Sequence, residues 1–247
     1  MYTKEFFIDR IRLFWEVSVK LWHCFDARSF RALWALEELG MTYELELLDF
    51  PPRAREKRIF TVNPLGTVPV LETDQGSMTE SSAICEWLAE QQPQSGLGVA
   101  VGHPDRPAYL NWLHHADTTL TFPQTIYLRY SYLEEAGRRQ PQVADDYRRW
   151  FFGRLKLLVS TLESQQFLCA NRFTMADICV AYALSLAEDL GIDADLPPLV
   201  KDYLARMTGR KGWHRAKTVQ VDAAKALGIE PIAPARLIRA AIEKSAG

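Results

Sequence analysis

Four cysteines in 247 residues are too few and too scattered to make a disulfide framework. Cys24, Cys85, Cys169 and Cys179 show no paired metal-type spacing either, so a reducing compartment, the cytoplasm, is the expected setting and no metal site is expected. Charge of one sign is also lacking. The 31 acidic and 29 basic residues leave a formal charge of −2, and so no global field to draw the molecule to nucleic acid or to an anionic membrane. Long hydrophobic runs are missing as well. Residues 1–18 contain Phe6, Phe7, Ile8, Phe14 and Trp15, but Lys4, Glu5, Asp9, Arg10, Arg12 and Glu16 interrupt every apolar run. The segment is therefore neither a signal-peptide core nor a membrane span; it reads as a short amphipathic appendage, or the product of an upstream start codon, outside the fold. Hydrophobic residues nonetheless make up 48% of the chain, enough to furnish one large core or two modest ones. A small-molecule partner is the expectation that remains.

Periodicity divides the rest. VKLWHCF, from Val19, reads as a short buried strand. RSFRALWALEELG reads as a helix with Ala32, Ala35, Leu36 and Leu39 in one stripe, Arg31, Glu37 and Glu38 off it, and Gly40 as its stop. YELELLDF alternates as a half-buried strand, an arginine-rich connector follows from Pro51 to Arg58, and strands on either side of Asp74-Gln75-Gly76 form a hairpin. Glu80 to Gln91 closes this unit as a helix. The Pro/Gly/Ser-rich residues 95–106 read as a linker. Beyond it only helical stripes occur, such as Phe151, Leu155, Leu158 and Leu162, with the nearly all-apolar 174–190 as the central strut of a bundle. The expected organisation is an extension at 1–18, an α/β domain at 19–94, the linker, an all-helical domain at 107–220 and a tail at 221–247 whose 235–244 stretch has helix-forming composition.

Three spaced signatures, NPLGTVPVL at Asn63–Leu71, the Glu80-Ser81 pair opening a helix and FTMAD at Phe173–Asp177 opening another, together resemble the cytosolic glutathione transferase superfamily. The opening RSFRALWALEELGMTYE also looks like the first helix of bacterial and fungal members. The resemblance spans about residues 19–215. It implies a thioredoxin-like N-terminal domain (βαβαββα), an all-α C-terminal bundle, a homodimer, a detoxification role, and glutathione as co-substrate alongside a small apolar electrophile. It also implies a cis bond at Val68-Pro69, with the Val68 backbone pairing with the cysteinyl part of glutathione like an added strand, Thr67 beside it, and Glu80 and Ser81 receiving the γ-glutamyl group at a helix start. Thr174 and Asp177 form an S/T-x-x-D capping box, a structural feature.

The sulfur site needs a group that favours thiolate over a thiol whose free pKa is near 8.5. The position that is a catalytic serine or cysteine in several classes falls at Asp26, which is expected to cap the first helix or bind Arg28. Candidates for thiolate stabilisation are the Ser29 hydroxyl, the Arg28 charge, and the N–H of Ala27 or Arg28. Cys24 offers mixed-disulfide chemistry instead, since CFDAR lies over the Cys-Pro-Phe-Ala-type loop of omega-class members with Phe25 in place of proline. Arg53, Arg55, Lys57 and Arg58 could each meet the glycine carboxylate. Tyr109, Trp112, His115 and Thr119, with Tyr127 and Tyr130, are candidates for the electrophile's wall. Three activities remain open: nucleophilic attack by bound thiolate, a thiol–disulfide reductase or deglutathionylase working through Cys24, and a noncatalytic glutathione-fold binding protein.

Overall fold

The computed structural model describes residues 18–246, with side chains described to residue 242; the expected 1–18 extension lies almost wholly outside the described residues. Strand β1 (Lys20–Cys24) runs into helix α1 (Phe30–Leu39), and α1 returns the chain to β2 (Glu44–Leu48), parallel to β1. One helical turn, α2 (Pro52–Arg55), and a 3₁₀ segment (Lys57–Thr61) lead to β3 (Val70–Thr73) and β4 (Gly76–Met78), each antiparallel to its neighbour. Helix α3 (Ser81–Gln91) closes the unit. The sheet order is β2-β1-β3-β4, the mixed sheet of a thioredoxin-like domain.

Alternation along β1 decides what each face carries. Leu21 joins the main core under α1, while Trp22 and Cys24 belong to a second cluster with Leu48, Ile59 and Val70 beneath the 52–62 segment. His23 therefore shares the α1 face and Cys24 the opposite one.

The second half is helical. α4 (Arg106–His114), α5 (Phe122–Leu128) and the π-helical turns His115–Thr121 and Arg129–Leu133 form one continuous run, followed by α6 (Pro141–Leu162), α7 (Met175–Leu190), α8 (Pro198–Thr208), α9 (Lys211–Ala226) and α10 (Pro234–Ala246). α7 is the central strut. Its capping box forms as read from the sequence, with Thr174 and Asp177 bonding reciprocally, and Asp177 also accepts from the Leu168 N–H and the Tyr203 hydroxyl.

α1 packs on β1, α3, α7 and α9 together. That is why every residue from Phe30 to Leu36 is buried, Arg31 included, rather than the single stripe expected. Trp213 of α9 stands edge-on to both Phe30 and Trp34, with ring centroids 4.9 Å apart in each pair. α9 is also continuous through residue 220, where the pattern had placed the start of a tail. Its buried stripe is Trp213, Ala216, Gln220 and Ala224, too weakly apolar to read as a core face.

Candidate functional site

Between β1 and α1 the chain makes a tight turn. Asp26 takes φ +46°, unusual for a residue with a side chain, and the Ala27 N–H donates back to the Cys24 carbonyl at 3.1 Å. The N–H groups of Arg28 and Ser29 find no acceptor among the described residues, and they stand at the positive end of α1. The Arg28 side chain is exposed beside them, donates to Thr125 Oγ1 at 3.3 Å and lies 4.0 Å from the Asp117 carboxylate.

The two side chains expected to serve sulfur directly are placed otherwise. Ser29 is fully buried; its Oγ lies 2.7 Å from His23 Nδ1 and accepts from the Cys24 N–H at 3.2 Å. The hydroxyl is consumed by strand β1. Cys24 faces the second core cluster, away from α1, and burial, with Asp49 and Glu56 adding, pushes its thiol well above the ordinary value. A thiol so held is neither exposed nor ionised near neutrality. Asp26 neither caps α1 nor binds Arg28. Its carboxylate takes Lys217 and Gln220 of α9 instead.

Val68-Pro69 is cis, as is Phe50-Pro51. Val68 lies beyond the β1–β3 ladder, which begins at Val70, so its backbone groups are left for another partner. Asn63 organises the loop in front of it, donating to the Thr67 carbonyl at 2.9 Å and to Thr67 Oγ1 at 3.0 Å. Gly66 has φ +61°, and a Cβ there would stand 2.8 Å from Arg53 Cβ and the Phe60 ring; the loop thus lies directly against Arg53. Of the four cations offered for the glycine carboxylate, Arg55 is paired with Asp49 and Arg58 with Glu46 and Glu56, whereas Arg53 and Lys57 carry no ion pair among the described residues.

Glu80 occupies the N-cap of α3, exposed and with no capping side-chain bond. Ser81 is buried, and its Oγ accepts from Arg31 Nη1 at 3.0 Å. Arg31 is fully buried and also donates to Asp117 Oδ1 at 3.0 Å, to the Ala116 carbonyl at 3.2 Å and to Thr121 Oγ1 at 2.8 Å. Its guanidinium lies over the Tyr182 ring, 4.9 Å from the centroid. Asp117 and Thr121 belong to the π-helical turn, whose wide backbone is a common feature of functional sites. Sequence periodicity missed Arg31, since a charged residue off an apolar stripe is ordinarily solvated.

The expected electrophile wall is not where the aromatic pattern suggested. Tyr109 and Trp112 are buried in the core against α7, because α4 turns that face inward. His115 is half-buried edge-on to Trp112 and, like Thr119, lies outside the cleft beside α1. That cleft holds about 360 Å³ between Phe25 and Asp26 of the turn, Asp189 of α7, Trp213 and Lys217 of α9, and Arg236 of α10. A second cleft of about 350 Å³ continues past Phe25 to Phe50, Arg55, Ile229 and Leu237. Both are roofed by the C-terminal segment, anchored by the Arg236–Asp189 ion pair at 2.6 Å. Burial and the nearby Asp26 raise the Asp189 carboxyl while Arg236 opposes them.

Among the described residues no cluster of three or more His, Cys, Asp or Glu could hold a metal, and no helix is long and apolar enough to cross a membrane.

Residues 27–91 match the family described as glutathione S-transferase, N-terminal domain, and residues 115–211 the glutathione S-transferase, C-terminal domain. The chain belongs to the cytosolic glutathione S-transferase superfamily. It is 27% identical to the glutathione S-transferase GstA of Escherichia coli O157:H7 over 78% of this chain and 94% of that one. It is 28% identical to the maleylacetoacetate isomerase of Rhizobium meliloti (strain 1021) over 77% and 91% respectively. A sphingomonad glutathione S-transferase solved in complex with glutathione superposes with a TM-score of 0.70 at 28% identity, over 80% of this chain and 96% of that one.

Proposed function

We propose that this protein is a glutathione transferase in which the start of α1, with Arg28 foremost, stabilises the thiolate of bound glutathione for attack on an electrophile in the cleft beside Phe25. The observation that carries the reading is the turn itself. The Arg28 N–H, without an acceptor among the described residues, and the exposed Arg28 guanidinium meet at a helix N-terminus that opens beside the cleft, while the serine and cysteine that could compete are sealed away. Lowering a thiol pKa by two units takes about 2.7 kcal/mol, within reach of one or two hydrogen bonds to an anion at about 1.5 to 3 kcal/mol each. In this reading the Val68 backbone pairs with the cysteinyl unit, Thr67 flanks it, Glu80 and Ser81 hold the γ-glutamyl ammonium and carboxylate, and Arg53 meets the glycine carboxylate. The electrophile is smaller and less purely aromatic than Tyr109 and Trp112 would have required, for Asp26, Asp189, Lys217 and Arg236 edge its cleft. The reaction is conjugation or displacement of an ether or halide, carried out in the cytoplasm by a two-fold dimer.

Calorimetry with glutathione, followed by a thiolate absorbance titration on wild type, Arg28→Ala, Ser29→Ala and Cys24→Ser, tests this. Arg28→Ala should raise the bound thiol pKa and Cys24→Ser should leave it unchanged. Loss of the thiolate signal in Cys24→Ser alone would refute the reading in favour of disulfide chemistry. Tight glutathione binding with no lowered thiol pKa, and no turnover across an electrophile panel, would refute it in favour of a binding protein.

A further inference from the structure

Gln220 is a fully buried polar residue contributed by α9 to the interior of the sheet domain, 194 positions from the turn it touches. Its Oε1 accepts from the Asp26 N–H at 3.1 Å and its Nε2 donates to Asp26 Oδ1 at 2.7 Å. These two bonds fix the orientation of the amide, since the flipped form would set a donor against a donor and an acceptor against an acceptor. Once Oε1 is fixed as an acceptor, His23 Nε2, 3.0 Å away, must carry the proton. His23 Nδ1 is then bare, and the Ser29 hydroxyl 2.7 Å from it must donate inward. One amide thus sets the tautomer of His23 and the direction of the Ser29 hydroxyl. It also clips Asp26, whose carbonyl accepts from the Tyr182 hydroxyl at 3.3 Å and whose carboxylate takes Lys217.

A left-handed conformation at a residue with a side chain persists only where its surroundings over-determine it. At Asp26 the turn's own bond from the Ala27 N–H to the Cys24 carbonyl is joined by side-chain contacts that all come from the helical domain: Gln220, Lys217 and Tyr182. The turn in question is the one that presents the Arg28 N–H and guanidinium.

We propose that Gln220 is a positioning residue for thiol activation, holding the 25–29 turn in the conformation that aims the α1 N-terminus at the glutathione sulfur. The inference rests on the thiolate reading above. Gln220 touches neither substrate. It acts through Asp26 on one side and through His23 and Ser29 on the other, so ionisation of a thiol bound by the sheet domain depends on how α9 is docked.

The test is a thiolate absorbance titration with glutathione bound, with kcat and KM against pH, on wild type, Gln220→Leu and Gln220→Asn. Leucine keeps the volume and removes all three bonds; asparagine keeps the amide but falls one methylene short. Glutathione affinity should stay within about threefold, because Val68, Glu80 and Ser81 are untouched. The bound thiol pKa should rise by about one unit, which is about a tenfold loss of thiolate near neutrality. kcat should fall by a similar factor at pH 7 and recover at alkaline pH. A loss of kcat with no displacement of the pH profile would mark mere structural damage and overturn the proposal, as would an unmoved thiol pKa in a folded variant. Nitrogen-15 NMR of wild-type His23 needs no variant: the Nε2–H tautomer is expected, and Nδ1–H would overturn the proposal even if both variants failed to fold. Should wild type itself show no thiolate absorbance with glutathione, the thiolate reading fails. Should wild type show it and the folded variants match, the positioning role alone fails.

Discussion

Two buried titratable groups should pull the pH dependence of stability in opposite directions, and separating them checks the core on both sides of the domain junction. Burial lowers His23 from 6.5 to about 4, the Gln220 bond and Asp26 opposing, so the folded protein holds the ring neutral. Burial raises Asp177 from 3.8 to about 6 against the donors from Thr174, Tyr203 and Leu168. The unfolded chain binds the His23 proton more tightly than the folded one. Its contribution is therefore present above pH 6.5 and lost as the pH falls towards 4, by about 3 kcal/mol. The folded protein binds the Asp177 proton more tightly than the unfolded chain. That contribution is present below pH 3.8 and lost as the pH rises through about 6, also by about 3 kcal/mol. In wild type the two nearly cancel between pH 4 and 7, and the raw curve hides both. Differences expose them. In urea melts at half-unit pH steps, the stability gap between wild type and His23→Leu should narrow by about 3 kcal/mol from pH 7 to pH 4, while the gap between wild type and Asp177→Asn should widen. Parallel curves for all three proteins would refute the assignment of either group.

Asp177→Ala should cost about 2 to 4 kcal/mol, since it removes a cap and strands the Leu168 N–H and Tyr203 hydroxyl, yet leave kcat per folded molecule near wild type; thermal melts beside active-site titration check this. Arg31→Met should cost on the order of 3 kcal/mol by breaking a buried pair and its hydrogen bonds. It should also raise the glutathione KM more than it lowers kcat, because Ser81 loses its donor; steady-state kinetics at saturating electrophile would show the split. Arg236→Ala should change the electrophile KM and leave the glutathione KM alone, since its ion pair anchors only the cleft's roof.

The fold was legible because its signals are local. Strand β1, the α1 stop at Gly40 and the Thr174–Asp177 box each follow from a few neighbouring residues, and Gly40 does take the left-handed cap. The cis bond at Val68-Pro69 and the helix start at Ser81 were legible through motif resemblance. What failed was anything decided by a second surface. Periodicity places Tyr109 and Trp112 on one face of α4 but cannot say whether that face meets solvent, ligand or α7. It meets α7. Ser29 looked like a free first-turn hydroxyl because His23, on the same face six residues earlier, gave no sign of which way it pointed. A histidine inside an otherwise apolar strand was the available clue that a polar partner had to lie within the core. Arg31, off its helix's apolar stripe, and Gln220, on a face too weakly apolar to read as core, carried no such clue, and their partners lie 50 to 90 and 194 to 197 positions away.

These long-range partners change the part the helical domain plays. It roofs the cleft, and it also holds two places in the sheet domain that the proposed reading uses, Ser81 for the γ-glutamyl group and the Asp26 turn for the sulfur. Ser81 is tied through Arg31 to Asp117 and Thr121, and Asp26 is tied to Lys217, Gln220 and Tyr182. Neither tie can form within residues 19–94 alone. A sheet domain without its bundle would keep its strands and Val68, yet Arg31 would lose Asp117, Thr121 and the Ala116 carbonyl and be uncovered where α7 and α9 pack, and the left-handed Asp26 would keep only the Ala27–Cys24 backbone bond. Both losses loosen the sheet domain, so substitutions of the bundle residues that make these ties should register there, at Asp117 and Thr121 in glutathione binding and at Gln220 in thiol ionisation.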